Sequence, residues 1–127
     1  MISCVNPTNA DNTVGGFTAS ADELVANNLA FAEHFDGTDL QASPMRNLAV
    51  VGCMDSRIDT FQILGLRKGE AHIIRNAGGV ITDDVIRSLC LSQRVLGTRE
   101  IVLLHHTKCG LQGASEDNFK AEIQADI

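Results

Sequence analysis

Lysine and arginine are few in this sequence, and they do not cluster. The 127 residues carry 10 basic against 16 acidic side chains, a net charge of −6 with a pI near 5.0. That balance argues against a binder of nucleic-acid backbones or of anionic membranes. Long apolar runs are missing too. Stretches such as Leu48 to Val51 and Ile101 to Leu104 fall far short of the ~20 residues a membrane span needs. The first residues, MISCVNPTNADNT, have neither a basic start nor an apolar stretch, so a cleaved secretory signal is not expected and a cytoplasmic location is. With 2 prolines and 11 glycines the composition is not that of a disordered chain. No G-x-G-x-x-G follows a strand-like run and no G-x-x-x-x-G-K-[ST] occurs, so nucleotide binding has no signature. A phosphatase loop is excluded as well. It needs five residues between its Cys and Arg to ring a phosphate with amides, and three separate Cys53 from Arg57.

What is present is a chain of one domain's length with 44% hydrophobic residues, enough for a modest core. Four cysteines would allow two disulfides, but their contexts point elsewhere. Cys53 and Cys109 each follow an apolar, strand-like run, Cys90 falls on the apolar side of a predicted helix, and Cys4 lies in a polar tail. Without an export signal, metal binding or catalysis is the better reading for Cys53 and Cys109, and a core position for Cys90.

Residues 1–16 are polar and read as a flexible N-terminal arm, with one domain over 17–127. Ser20 followed by Glu23 predicts a capping box opening a helix that runs to Phe35, with Val25, Leu29 and Ala32 on one stripe. Asn47 to Cys53 is a continuous apolar run, the pattern of a fully buried strand. A short helix over Ile58 to Leu66 and a strand over Ala71 to Arg75 follow. Asn76-Ala77-Gly78-Gly79 is a turn through which backbone can approach a ligand, so Gly78 and Gly79 are candidates to line a substrate. A helix capped by Thr82 or Asp83 extends to Leu96, a third strand covers Glu100 to His105, and another helix begins after Gly113. Alternating strands and helices give an α/β fold, a parallel sheet with helices on both faces. Such sheets bind ligands beyond the carboxyl ends of their strands. Cys53, the Asn76–Gly79 turn and the His106–Cys109 segment all fall at such ends.

His106 and Cys109, three apart in a turn, can reach one ion, and Cys53 can supply a third ligand. Two thiolates and one imidazole suit Zn²⁺, and three protein ligands leave one coordination position open, as in catalytic sites. Side chains alternate along a strand, so His105 is expected to hydrogen-bond on the opposite face from His106. Asp55 and Arg57 can form a charge-assisted pair. Beside zinc, that carboxylate would orient a metal-bound water whose pKa is lowered toward ~7. If the pair broke, Asp55 could swing onto the metal and close the site.

CMDSR at 53–57, HIIRNAGG at 72–79 and HHTKCG at 105–110 resemble the β-class carbonic anhydrases, in order and spacing, from Phe17 to Phe119. The resemblance implies zinc-dependent, reversible hydration of carbon dioxide to bicarbonate. Cys53, His106 and Cys109 take the ligand positions, and Asp55 and Arg57 those of a dyad that orients a zinc-bound hydroxide. It also implies a homodimer or dimer of dimers, with the helix at 20–35 packed on the partner subunit. Three departures stand out. Family members continue past the position of Ile127, so the C-terminal part of the domain is expected to be missing. Lys108 adds a positive charge to the metal turn. With no Trp and no Tyr, an inhibitory bicarbonate pocket built on those aromatics has no counterpart. Two alternatives remain open: hydrolysis of CS₂ or COS on the same scaffold, and a truncated, non-catalytic zinc-binding module.

Overall fold

A computed structural model describes residues 13–14 and 17–127, and the rest of the predicted arm lies outside the described residues. The chain divides into two compact units after Leu40.

In the first unit, β1 (Thr13–Val14) pairs antiparallel with β2 (Phe17–Thr18), and α1 spans Ala21–Glu33. The predicted capping box is not formed. Ser20 precedes α1, but at φ −106° and ψ 7° it lies outside the extended region from which a cap side chain reaches back, and it makes no side-chain cap bond. No residue of α1 is buried, and Leu29 and Phe31 are 64% and 59% exposed.

The second unit is built on β3 (Leu48–Cys53), with β4 (Ala71–Asn76) and β5 (Glu100–Leu104) parallel on either side in the order β4-β3-β5. All six residues of β3 are buried, which is what a continuous apolar run in a central parallel strand produces. Leu48, Val50 and Leu66 form a core cluster with Ala71, Ile73, Val102 and Leu104 packed against it. The chain steps from β3 to β4 in one direction and returns past β3 to β5 in the other. With right-handed crossovers, this places the connecting helices α2 (Thr60–Leu64) and α3 (Asp83–Arg94) on opposite faces of the sheet.

Local chemistry sets the helix limits. Asp59 caps α2 through the Gln62 N–H, and Gly65 ends it in the left-handed region at φ 64°. Thr82 caps α3 through the Val85 N–H, and Ser115 caps α4 (Glu116–Asp126) through that of Asn118. Cys90 on α3 is exposed, not in the core as predicted. Val85 and Ser92 are the buried positions of that helix, and Cys90 lies off the face they define. A buried hydroxyl pair, Ser92 Oγ to Thr98 Oγ1 at 2.6 Å, continues to His72 Nδ1 at 2.7 Å. His72 Nε2 lies 2.9 Å from the Ala42 carbonyl, so Nε2 carries the proton and Nδ1 accepts from Ser92.

The register aligns the strand ends. Cys53 stands opposite Asn76, and Gly52 opposite Leu104. After β4 a single 3₁₀ turn, Ala77–Gly79, tucks beneath the end of β3, with Gly79 buried at φ 64°. A Cβ on Gly79 would sit 3.0 Å from the Gly52 carbonyl carbon and 3.1 Å from the Cys53 nitrogen, backbone that cannot yield cheaply. Gly79→Ala is therefore expected to cost about 1–3 kcal/mol. The check is the midpoint of urea unfolding, and an unchanged midpoint would mean that the turn has room to spare.

Candidate metal centre

The site is assembled where β3 and β5 end. Cys53 is the last residue of β3 and is buried. His106 and Cys109 follow β5 in a turn that passes through Lys108 at φ 54°. The left-handed residue folds the chain back, so two side chains three positions apart face the same point. One ligand atom each from Cys53, His106 and Cys109 lies within 4.8 Å of the others.

Two details fit a tetrahedral metal. The Cys53 and Cys109 sulfurs are 3.8 Å apart. Two sulfurs each ~2.3 Å from one tetrahedral ion would be separated by about 3.8 Å. His106 Nδ1 is 3.0 Å from the Thr107 carbonyl, to which it donates, leaving the lone pair on Nε2. Nε2 is itself buried without a hydrogen-bond partner. A buried polar atom without a partner is costly unless something else satisfies it, and a cation would. His105 turns the other way, its Nε2 3.3 Å from the Gly79 carbonyl, as strand alternation predicts.

The surroundings favour thiolate at Cys53. Its pKa falls from 9.0 to about 7, first through His106, then through the backbone N–H groups of Asp55 and Gly78 and the Cys109 thiol, while burial opposes. The turn expected to line substrate lies against the candidate ligand Cys53: the Gly78 N–H is directed at it, and Gly79 packs under the strand end.

Asp55 and Arg57 make a three-point contact. Arg57 donates from its backbone N–H and from Nε to Asp55 Oδ1, both at 2.9 Å, and from Nη2 to Oδ2 at 2.6 Å. These bonds hold the Asp55 carboxyl well below the usual carboxylate range and push the Arg57 guanidinium further toward its charged form. Asp55 Oδ2 is 3.9 Å from His106 Nε2, so the carboxylate borders the ligand cluster while Arg57 occupies it. Sequence reasoning missed two contacts. Arg57 Nη2 also donates to the Lys108 carbonyl at 3.0 Å, joining the two ligand loops. Arg75 donates to the carbonyls of Cys53 and Asp55. Arg75 sits in the HIIRNAGG motif, but nothing in the sequence says which carbonyls it reaches.

Comparison with known proteins gives a consistent answer. The family model described as carbonic anhydrase matches residues 48–125. The chain is 55% identical over 103 residues to beta-carbonic anhydrase 1 of Mycobacterium tuberculosis, covering 81% of this chain and 63% of that protein. It is 50% identical over 76 residues to a carbon disulfide hydrolase of Acidithiobacillus thiooxidans, covering 58% of this chain and 38% of the relative. Among solved structures, a carbonic anhydrase from Streptococcus mutans superposes with a TM-score of 0.78 at 44% identity, covering 87% of this chain and 66% of that one. The chain therefore spans about 63% of the length of the mycobacterial relative.

The Cys53 environment predicts a pH signature in the metal-free chain. The ultraviolet absorbance of thiolate should rise with a midpoint near 7, and that step should vanish in Cys53→Ser. Because the folded pKa lies below the ordinary 9.0, the thiolate's contribution to stability is complete above about pH 9 and is lost as pH falls through 7. The stability difference between the wild type and Cys53→Ser should widen across that window, as read by urea unfolding. A first thiolate step near 9 would refute this assignment.

Proposed function

The chain belongs to the β-carbonic anhydrase family, and from that membership we propose that it interconverts carbon dioxide and bicarbonate at a Zn²⁺ held by Cys53, His106 and Cys109. The observation that carries this reading is the pairing of two sulfurs 3.8 Å apart with a buried, unpartnered imidazole nitrogen. Bound there, Zn²⁺ would lower the pKa of a water from about 15.7 toward about 7, supplying hydroxide at neutral pH.

The chain's own residues do the rest. Cys53, Cys109 and His106 would hold the ion, and the hydroxide it would supply would be the nucleophile. Asp55 accepts a hydrogen bond from that nucleophile and turns a lone pair toward the carbon of CO₂. Oδ2 has a lone pair for this, since it accepts one bond from Arg57 while Oδ1 accepts two, and Oδ2 is the oxygen 3.9 Å from His106 Nε2. Arg57 keeps Asp55 ionised and fixes its rotamer. It also keeps the carboxylate off the metal, since moving Asp55 onto the ion would sacrifice three hydrogen bonds. The products would be bicarbonate and a proton released to buffer.

The reading extends to setting and assembly. Cys53, Cys90 and Cys109 are free thiols, which suits the reducing cytoplasm. Leu24, Leu29, Phe31 and Phe35 of the N-terminal helix region are all at least 48% exposed. Burying them on a second copy would give a homodimer, or a dimer of dimers, with the N-terminal helix as its arm. The division into an arm at 1–16 and a zinc domain at 17–127 is part of the same proposal.

One observation favours a second substrate class: the similarity to carbon disulfide hydrolases over 58% of the chain. CS₂ and COS are linear like CO₂ and would meet the same nucleophile. The match to a carbonic anhydrase is longer, at 81% of the chain, so CO₂ is the preferred substrate.

The test is zinc stoichiometry together with stopped-flow CO₂ hydration across pH. We expect about one Zn²⁺ per chain and a rate that rises through neutral pH. Zinc should be lost in Cys109→Ser, and Asp55→Asn should retain zinc but turn over about 10²–10⁴-fold more slowly. H₂S release from CS₂ that exceeds CO₂ turnover would favour the hydrolase reading. Bound zinc with no hydration above buffer would make the chain a zinc-binding module, and absence of bound zinc would end the proposal.

A further inference from the structure

Arg75 extends from β4 to the loop that leaves β3, and its contacts there are specific. Nε donates to the Cys53 carbonyl at 2.8 Å, and Nη2 donates to the Asp55 carbonyl at 2.7 Å. These two donors lie on one edge of a rigid, planar guanidinium. The carbonyls they bind are two residues apart, at and just beyond the end of β3, where sheet pairing stops providing partners. The last backbone bond from β3's side, Met54 N–H to the Asn76 carbonyl at 2.7 Å, lies between them. Three bonds from β4 and its end therefore fix the Cys53-Met54-Asp55 backbone.

We propose that Arg75 is a positioning residue for the metal centre: its guanidinium clamps the carbonyls of Cys53 and Asp55, setting a metal ligand and the neighbouring carboxylate in one rigid frame. The inference rests on the zinc reading given above. With the clamp in place, the Asp55 N–H points back at the Cys53 sulfur and the Asp55 side chain meets Arg57. Without it, the Cys53–Met54 peptide keeps only the Met54 N–H bond to the Asn76 carbonyl, and the Asp55 carbonyl keeps only the bond from the Ile58 N–H at 3.0 Å, so this stretch is held more loosely. Cys53 would remain at its strand end, but its sulfur would lose the Asp55 N–H, and Asp55 would lose its fixed distance from the ligand cluster. Arg75 reaches neither the ion nor the substrate position, so its effect passes through those two residues. Charge alone cannot substitute: a lysine ammonium is a point donor on a flexible stem and does not span two carbonyls in a fixed plane.

The test compares Arg75→Gln and Arg75→Lys with the wild-type chain. The measurements are the Zn²⁺ dissociation constant by chelator competition, the visible spectrum of the Co²⁺-substituted protein, and the melting temperature of the metal-free protein. We expect both variants to fold, with metal-free melting close to wild type. Arg75→Gln should bind Zn²⁺ about 10–100-fold more weakly, the usual effect of removing a group that orients a ligand. Its Co²⁺ bands should shift as the sulfur geometry changes, and Arg75→Lys should recover only part of either effect. Wild-type affinity and spectrum in Arg75→Gln would overturn the proposal. So would full recovery in Arg75→Lys, which would assign the effect to charge. Failure of both variants to fold without metal would show that Arg75 holds the domain and not the site. A wild-type chain that takes up no zinc would overturn the functional reading itself, and this inference with it.

Discussion

Parallel pairing of one buried strand with two neighbours is the constraint on which the rest depends. Because β3 lies between β4 and β5 and runs in their direction, three carboxyl ends fall at the same edge of the sheet. The strand order reverses at β3, and open α/β sheets form their ligand crevices at such reversals. Cys53 and Cys109 are separated by 56 positions in sequence, yet their sulfurs are 3.8 Å apart. The entropy of closing so long a loop is met by burial of β3 and its neighbours, not by the metal.

Convergence creates an electrostatic problem that the arginines resolve. Two sulfurs this close, with the Asp55 carboxylate beside them, concentrate negative charge as Cys53 ionises. In the proposed zinc site a divalent cation would balance that charge but would also attract the carboxylate. Arg57 counters that attraction with a bidentate grip and a backbone bond, and its remaining reach to the Lys108 carbonyl ties the loop of Cys53 to that of Cys109. Arg57 is 64% exposed at its side chain, whereas Asp55 is 12% exposed. The pair is thus a partly buried carboxylate capped from the solvent side, and its value lies in fixing an orientation more than in adding stability.

The fold was largely legible because its signals were strong and local. Six consecutive apolar residues identify β3, and Thr82 with Gly65 mark helix limits through chemistry that depends on few neighbours. The convergence of Cys53, His106 and Cys109 was legible because their residue types and spacing serve little else. Ser20 shows where local reading fails. Its type and its spacing to Glu23 are those of a capping box, but a cap also requires an extended backbone, and Ser20 does not adopt one. Cys90 fails for a related reason. At 100° per residue it lies about 140° from Val85 and about 160° from Ser92, nearly opposite the face that α3 buries, so its apolar neighbours in sequence did not reveal which face turns inward. Arg75 was invisible as a functional residue because its partners are carbonyls, and carbonyls leave no trace in residue identity.

Lys108 makes the same point from the opposite direction. In the sequence its side chain draws attention, as a positive charge beside a metal turn. In the structure its backbone matters more. A non-glycine residue at φ 54° carries a small steric penalty, tolerated where the surroundings over-determine it. Here the surroundings are His106 and Cys109 on one side and Arg57, bound to the Lys108 carbonyl, on the other. An extended chain would send residues three apart to opposite faces, whereas the left-handed residue brings both ligands to one side. Glycine at 108 would adopt that conformation without strain, but it would also free the turn to leave it. A lysine held at positive φ by an arginine on its carbonyl makes a stiffer turn, and a stiff turn keeps His106 and Cys109 facing the point where Cys53 also arrives.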